Sequence, residues 1–138
     1  TEKHEFFLVK LKNECLAASA AHHRVAGYNK MLYRSFAIPT ISLPLVGGFV
    51  DTIVTSPELA WISRGIVMLA AGTAAIASVL NFGKLQAQHT QYTGLYGDLA
   101  QQIEYTLTRR KRSREACDVS VSRYLQKNQV LGAGAPAL

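Results

Sequence analysis

The 138-residue chain lacks most of what enzyme chemistry needs. It has no Gly-rich phosphate loop, no Gly-Lys-Ser/Thr, and no paired acids beside a histidine or nucleophile, so no enzymatic activity and no cofactor are expected. Cysteine is scarce: Cys15 and Cys117 lie one in each flank, which gives neither a CxxC pair nor a disulfide framework. The histidines are His4, His22, His23 and His89. Adjacent His22 and His23 point to different helix faces. Along a symmetric hairpin His22 lies about thirteen residues before Ser35, and His89 only about six after Gly83, at ~1.5 Å of rise per residue. That count places them at different heights, and no metal site is expected. The opening stretch Thr1 to Lys12 is charged and has only a short apolar run, so no secretory leader is expected there.

Charge is also missing from the centre. Phe36 to Val50 and Gly65 to Gly83 contain no charged residue. Extending the first block over Ser35 to Thr55 admits only Asp51. Roughly 20 helical residues cover a ~30 Å hydrocarbon core, so each block is long enough to cross a bilayer. Neither shows the polar stripe that a surface helix of a small soluble domain needs. A chain this short has too little other apolar surface to wrap two such helices. The first block contains Pro39 and Pro44. Pro39 is expected in an opening turn, where its missing N–H costs little, and Pro44 is expected to kink the span.

The link between the blocks, Thr55 to Glu58, is short and forces antiparallel neighbours. It sets Asp51 and Arg64 at similar depth, and an ion pair between them is expected. Small residues mark the expected packing face: Gly47 and Gly48 in the first span, and Ala70, Ala71, Gly72, Ala74 and Ala75 in the second.

The flanks hold the net charge of +6. Thr1 to Arg34 has six Lys/Arg against three acids, and Lys84 to Leu138 has eight against four. The loop has no Lys or Arg, so the positive-inside rule places both termini on the cytoplasmic side. Phe7, Leu11, Cys15, Ala18, His22, Val25, Asn29 and Leu32 make a helical stripe before the spans. Leu85, Tyr92, Tyr96, Leu99, Ile103 and Leu107 make another after them, continued by Val121, Tyr124 and Leu125. The expected organisation is therefore all-α. A transmembrane helical hairpin is extended by two long cytoplasmic-side helices, divided as 1–34, span 35–56, turn 57–58, span 59–83, basic helix 84–131 and flexible tail 132–138.

Arg109, Arg110, Lys111, Arg112 and Arg114 form the densest charge cluster. On a straight helix Arg109 stands roughly 39 Å beyond Gly83, several Debye lengths of ~8 Å from lipid. That favours a protein partner. No aromatic residues interleave the run, and nucleic acid is not expected.

The order of these features resembles the SLATT-type two-span family. Cys15 followed by His22-His23, Tyr28, the Ile38-Pro39 pair opening the first span, and Gly47-Gly48 carry the likeness in the first half. The small-residue span, Gln88-His89, Tyr92, Leu95, the basic turn and Pro136 carry it in the second. The resemblance is closer to the members found in large icosahedral DNA viruses with an internal membrane. It implies a structural protein of the virion's inner membrane, inserted during assembly in a host ER-derived membrane. Its partners would be the lipid bilayer and capsid or other virion proteins, with homo-oligomers possible. The bacterial branch of the same family implies the alternative, a pore-forming or membrane-perturbing effector.

Overall fold

The structure is a computed structural model and describes residues 2–53, 56–57, 60–109 and 117–138. Its elements are α1 (Glu2–Ile53), α2 (Ala60–Leu80), α3 (Phe82–Thr108) and α4 (Cys117–Gly134). The fold is all-α, with no strand among the described residues. The chain divides into two compact units. Unit 1 comprises Thr1–Gly27 and Gln86–Leu138, and unit 2 comprises Tyr28–Leu85.

The first helix does not stop at Arg34. It continues through both prolines, so Pro39 lies well inside the helix and not in an opening turn. A proline in a helix interior loses one backbone hydrogen bond and crowds the preceding turn. Helix α1 nevertheless runs without a break through Ser35, where the sequence division set a boundary.

The second half departs further from a single long helix over 84–131. Helix α2 ends at Leu80, and Asn81 takes a left-handed conformation with φ 43°. Its N–H still donates to Ala77 O at 3.1 Å, while its carbonyl accepts from Lys84 and Leu85 at 3.0 and 3.2 Å. One residue thus closes α2 and opens α3. Asparagine tolerates this conformation better than other non-glycine residues.

Helix α4 then runs back along α3. Tyr124 O–H donates to Gln102 O at 3.2 Å, Lys127 to Gln102 Oε1 at 2.8 Å, and Gly132 and Gly134 stand against the hydroxyls of Tyr96 and Tyr92. Rising numbers in α4 meet falling numbers in α3, which is antiparallel pairing. The sequence stripe through Leu107 and Val121 is real but folded: both residues pack on one core instead of extending one helix. Helix α4 runs to Gly134, inside the expected tail.

The core of unit 1 is Leu8, Leu11, Cys15, Tyr96, Leu99, Ala100, Ile103 and Tyr124. It draws on α1, α3 and α4, with Cys15 and Ile103 fully buried. His4 and Asp118 add a 3.1 Å link between α1 and α4 at the surface.

The junction at Asn81 yields a clean test. Asn81→Gly should leave helicity and melting temperature nearly unchanged. Asn81→Val, which places a β-branched residue at positive φ, should cost about 1–2 kcal/mol, read as a lower midpoint in thermal circular dichroism.

Candidate functional site

Two features of the structure carry functional information: an uncovered apolar helix pair in unit 2 and a buried polar cluster in unit 1.

In unit 2, α1 from Ser35 onward and α2 are mostly apolar, with Asp51 and Arg64 their only charged residues. Stretches within Glu2–Ile53 and within Ala60–Thr108 are long and apolar enough to cross a membrane, with peak mean hydropathy 1.5 and 1.8. Only 6% of each stretch is buried by protein. Leu45, Phe49 and Met68 are 70%, 68% and 76% exposed, and Val79 is 83% exposed. Each large apolar side chain left in water forgoes about 1.5–3 kcal/mol relative to burial. Over a dozen such side chains the cost reaches tens of kcal/mol, more than the ~5–15 kcal/mol that stabilises an ordinary domain.

The helices meet along a narrow face. Gly47 is buried, and a Cβ there would stand 3.2 Å from Ile66 Cγ2. Ser63 and Ala70 are buried opposite, with Ala74 half-buried. Gly48, Ala71, Gly72 and Ala75 are exposed. Of the small residues singled out in the sequence, Gly47, Ala70 and Ala74 thus lie at the contact, and the other four face away from it. At one end of the pair, Phe36 and Phe82 stack with centroids 5.6 Å apart.

Asp51 and Arg64 line one hollow with Gly47, Gly48 and Ser63. Their ion pair is not among those formed by the described residues. The Asp51 carboxylate instead accepts from the Ser63 hydroxyl at 3.1 Å. Equal depth did not ensure equal azimuth: Ser63 faces α1, and Arg64, one residue and ~100° further round, is exposed.

Within the basic cluster, Arg109 folds onto its own helix. Its guanidinium donates to Tyr105 O–H at 3.0 Å and lies 4.6 Å from the ring centroid. Arg110, Lys111, Arg112 and Arg114 lie outside the described residues.

Unit 1 holds the feature the sequence count misjudged. His22 and His89 are each 2% exposed, and their Nδ1 atoms are 2.9 Å apart. The height estimate assumed straight helices in register from Ser35 and Gly83. That assumption fails, and the two rings meet. Tyr96 stacks on His22 at 5.7 Å, and Tyr92 tilts against it at 5.8 Å. One hydrogen bond between identical atoms requires unlike tautomers: one ring donates Nδ1–H, and the other accepts. A doubly charged pair would present two donors and no acceptor. Burial first, and then His89, push the His22 pKa below its ordinary value. Burial likewise raises Cys15 and Tyr96, helped by Glu14 for the thiol and by Cys15 for the phenol. Beside this cluster Ser19 donates to Thr93 O at 2.9 Å. No group of three or more potential metal ligands occurs among the described residues. The one available signal for the pair was that both histidines lie on the apolar stripes of their helices.

Comparison with family models, with curated proteins and with solved structures finds no match for the chain.

Two tests follow from this geometry. A group whose folded pKa is depressed leaves the unfolded chain holding more protons, so stability rises with pH. The His22 contribution is complete above its ordinary value near 6.5 and falls away below it. The melting temperature should therefore drop between pH 7.5 and pH 5, and the His22→Leu/His89→Leu double variant should flatten that part of the profile. For the helix pair, Gly47→Leu should lower thermal stability by about 1–3 kcal/mol through overpacking. Gly48→Leu, where a side chain meets open space, should change it by less than ~0.5 kcal/mol.

Proposed function

We propose that the chain is a structural membrane protein: a two-span anchor whose helical unit 1 docks a protein layer onto the bilayer. The observation that carries this reading is the contrast in burial between the units. Unit 2 leaves Ile41, Leu45, Phe49, Met68 and Val79 uncovered, while unit 1 encloses a core with fully buried side chains. Lipid supplies the missing cover for the first and is not needed by the second. The spans are the second half of α1 and helix α2. An even number of crossings puts both segments of unit 1 on one side, and the basic flanks favour the cytoplasmic one.

The resemblance to SLATT-type virion proteins extends this reading. On that resemblance the proposed membrane is the internal membrane of a large icosahedral DNA virus, and the proposed partners of unit 1 are capsid proteins. The effector alternative requires a polar stripe along the spans. Its candidates were Thr73, Ser78 and Asn81. Thr73 donates to Ala70 O in its own helix, and Asn81 is occupied at the α2–α3 junction. That leaves little to line a pore.

In membranes from expressing cells, the protein should stay with lipid after alkaline carbonate washing and leave it only with detergent. Cysteine introduced beside either terminus should react with a membrane-impermeant reagent only after the cytoplasmic face is opened. In assembled particles it should co-purify with capsid shells through high salt. Release into the carbonate supernatant would overturn the anchor. Permeabilisation of expressing bacteria, abolished by Asn81→Leu, would replace the structural role with the effector one.

A further inference from the structure

Where α1 ends and α2 begins, the outside of the helix pair is indented. Asp51, Ser63 and Arg64 line a hollow of about 430 Å³, walled also by Gly48, Val67 and Met68. That volume lies within the ~300–1,000 Å³ of small-ligand sites. Gly48 leaves the space unfilled, since a Cβ added there meets nothing within 4 Å.

The hollow carries one charge of each sign, and the two do not answer each other. Asp51 and Arg64 are both exposed, and they form no ion pair among the described residues. Ser63 donates to Oδ1 of the carboxylate, which leaves Oδ2 able to accept. Arg64 makes no hydrogen bond or ion pair among the described residues, so its planar fork of N–H donors is uncommitted.

We infer that this hollow holds the headgroup of a zwitterionic phospholipid with a primary ammonium, the phosphatidylethanolamine type. Arg64 takes the phosphate and Asp51 the ammonium. The inference rests on the anchor reading above, and three features select this occupant. The first is cover. Val67 and Met68 are exposed apolar walls of the hollow, and in that reading lipid is what covers them. The second is depth. Asp51 stands about 26 Å along α1 from Arg34, at ~1.5 Å per residue. That is close to the ~30 Å hydrocarbon thickness, so the hollow lies where headgroups begin.

The third feature is charge. Unanswered charges beside hydrocarbon are costly, and a zwitterion answers both without adding net charge. A guanidinium binds phosphate through two parallel N–H donors. The free carboxylate oxygen needs a donor in return. A primary ammonium offers three, whereas the trimethylammonium of a choline lipid offers none. An anionic lipid without an amine would leave Asp51 unanswered.

The test uses the full chain in liposomes of equimolar phosphatidylethanolamine and phosphatidylcholine. The protein is released into mild detergent, and the lipid that stays bound is counted by mass spectrometry. Phosphatidylethanolamine should exceed phosphatidylcholine by at least about fivefold. Asp51→Leu should bring that ratio near one, and Arg64→Gln should lower retention of both lipids by roughly tenfold. Gly48→Leu should fill the hollow and lower retention similarly, with the melting temperature unchanged. Equal retention of the two lipids by the unaltered chain would overturn the site, as would a preference that survives Asp51→Leu or Gly48→Leu. Excess soluble phosphoethanolamine should leave the lipid in place. Its full displacement would assign the hollow to free headgroup compounds and overturn the lipid. Carbonate washing of the same liposomes judges the anchor separately. Protein stripped from the lipid sinks the anchor, whereas retained protein with an equal lipid ratio sinks only the headgroup site.

Discussion

Apolar side chains without protein cover set the terms for unit 2. A second half of α1 and an α2 that show Leu45, Phe49, Met68 and Val79 outward gain nothing from water. On the anchor reading, every backbone donor and acceptor there is best kept inside a helix, because hydrocarbon offers no alternative partner. Hydroxyls such as Thr40 turn back to a carbonyl of their own helix, Phe36 O at 2.7 Å. The two helices approach closely at Gly47, which stands against Ile66.

Unit 1 obeys the opposite rule. Its interior admits His22, His89 and Ser120, and among the described residues no buried side-chain nitrogen or oxygen lacks a hydrogen-bond partner. Buried polar groups of this kind cost stability unless every one is satisfied. The histidine pair meets that condition in its neutral form or with one proton shared, and fails it when both rings are charged. The same chain therefore combines a largely uncovered apolar part with a part whose interior holds a buried histidine pair.

The apolar blocks around Ser35 to Phe82 and the core stripe of α1 were legible because they are properties of single segments: missing charge and a period near 3.6. Leu11, Cys15, Ala18 and His22 follow from that period alone. What was not legible depends on relations between segments. The return of α4 onto α3 leaves the same periodic stripe as one extended helix. The left-handed Asn81 is one residue type among several permitted at such a junction. His22 with His89 was misjudged because Ser35 and Gly83 were taken to be level, which no single segment can show. Asp51 was paired with the wrong neighbour because depth was read from the sequence and azimuth was not, so Ser63 went unnoticed.

Cys15 sits at the centre of unit 1 with no exposed surface and a thiol pushed above its ordinary pKa by burial. Its nearest polar contact is Asn128 Oδ1 at 3.8 Å, on α4. Alkylation needs a thiolate in contact with solvent, so this sulfur can be modified only while α1 and α4 are parted. The rate at which a small electrophile labels Cys15 is therefore a clock for the opening of the bundle. The molecule carries its own kinetic reporter, readable residue by residue in a mass spectrum without adding a probe.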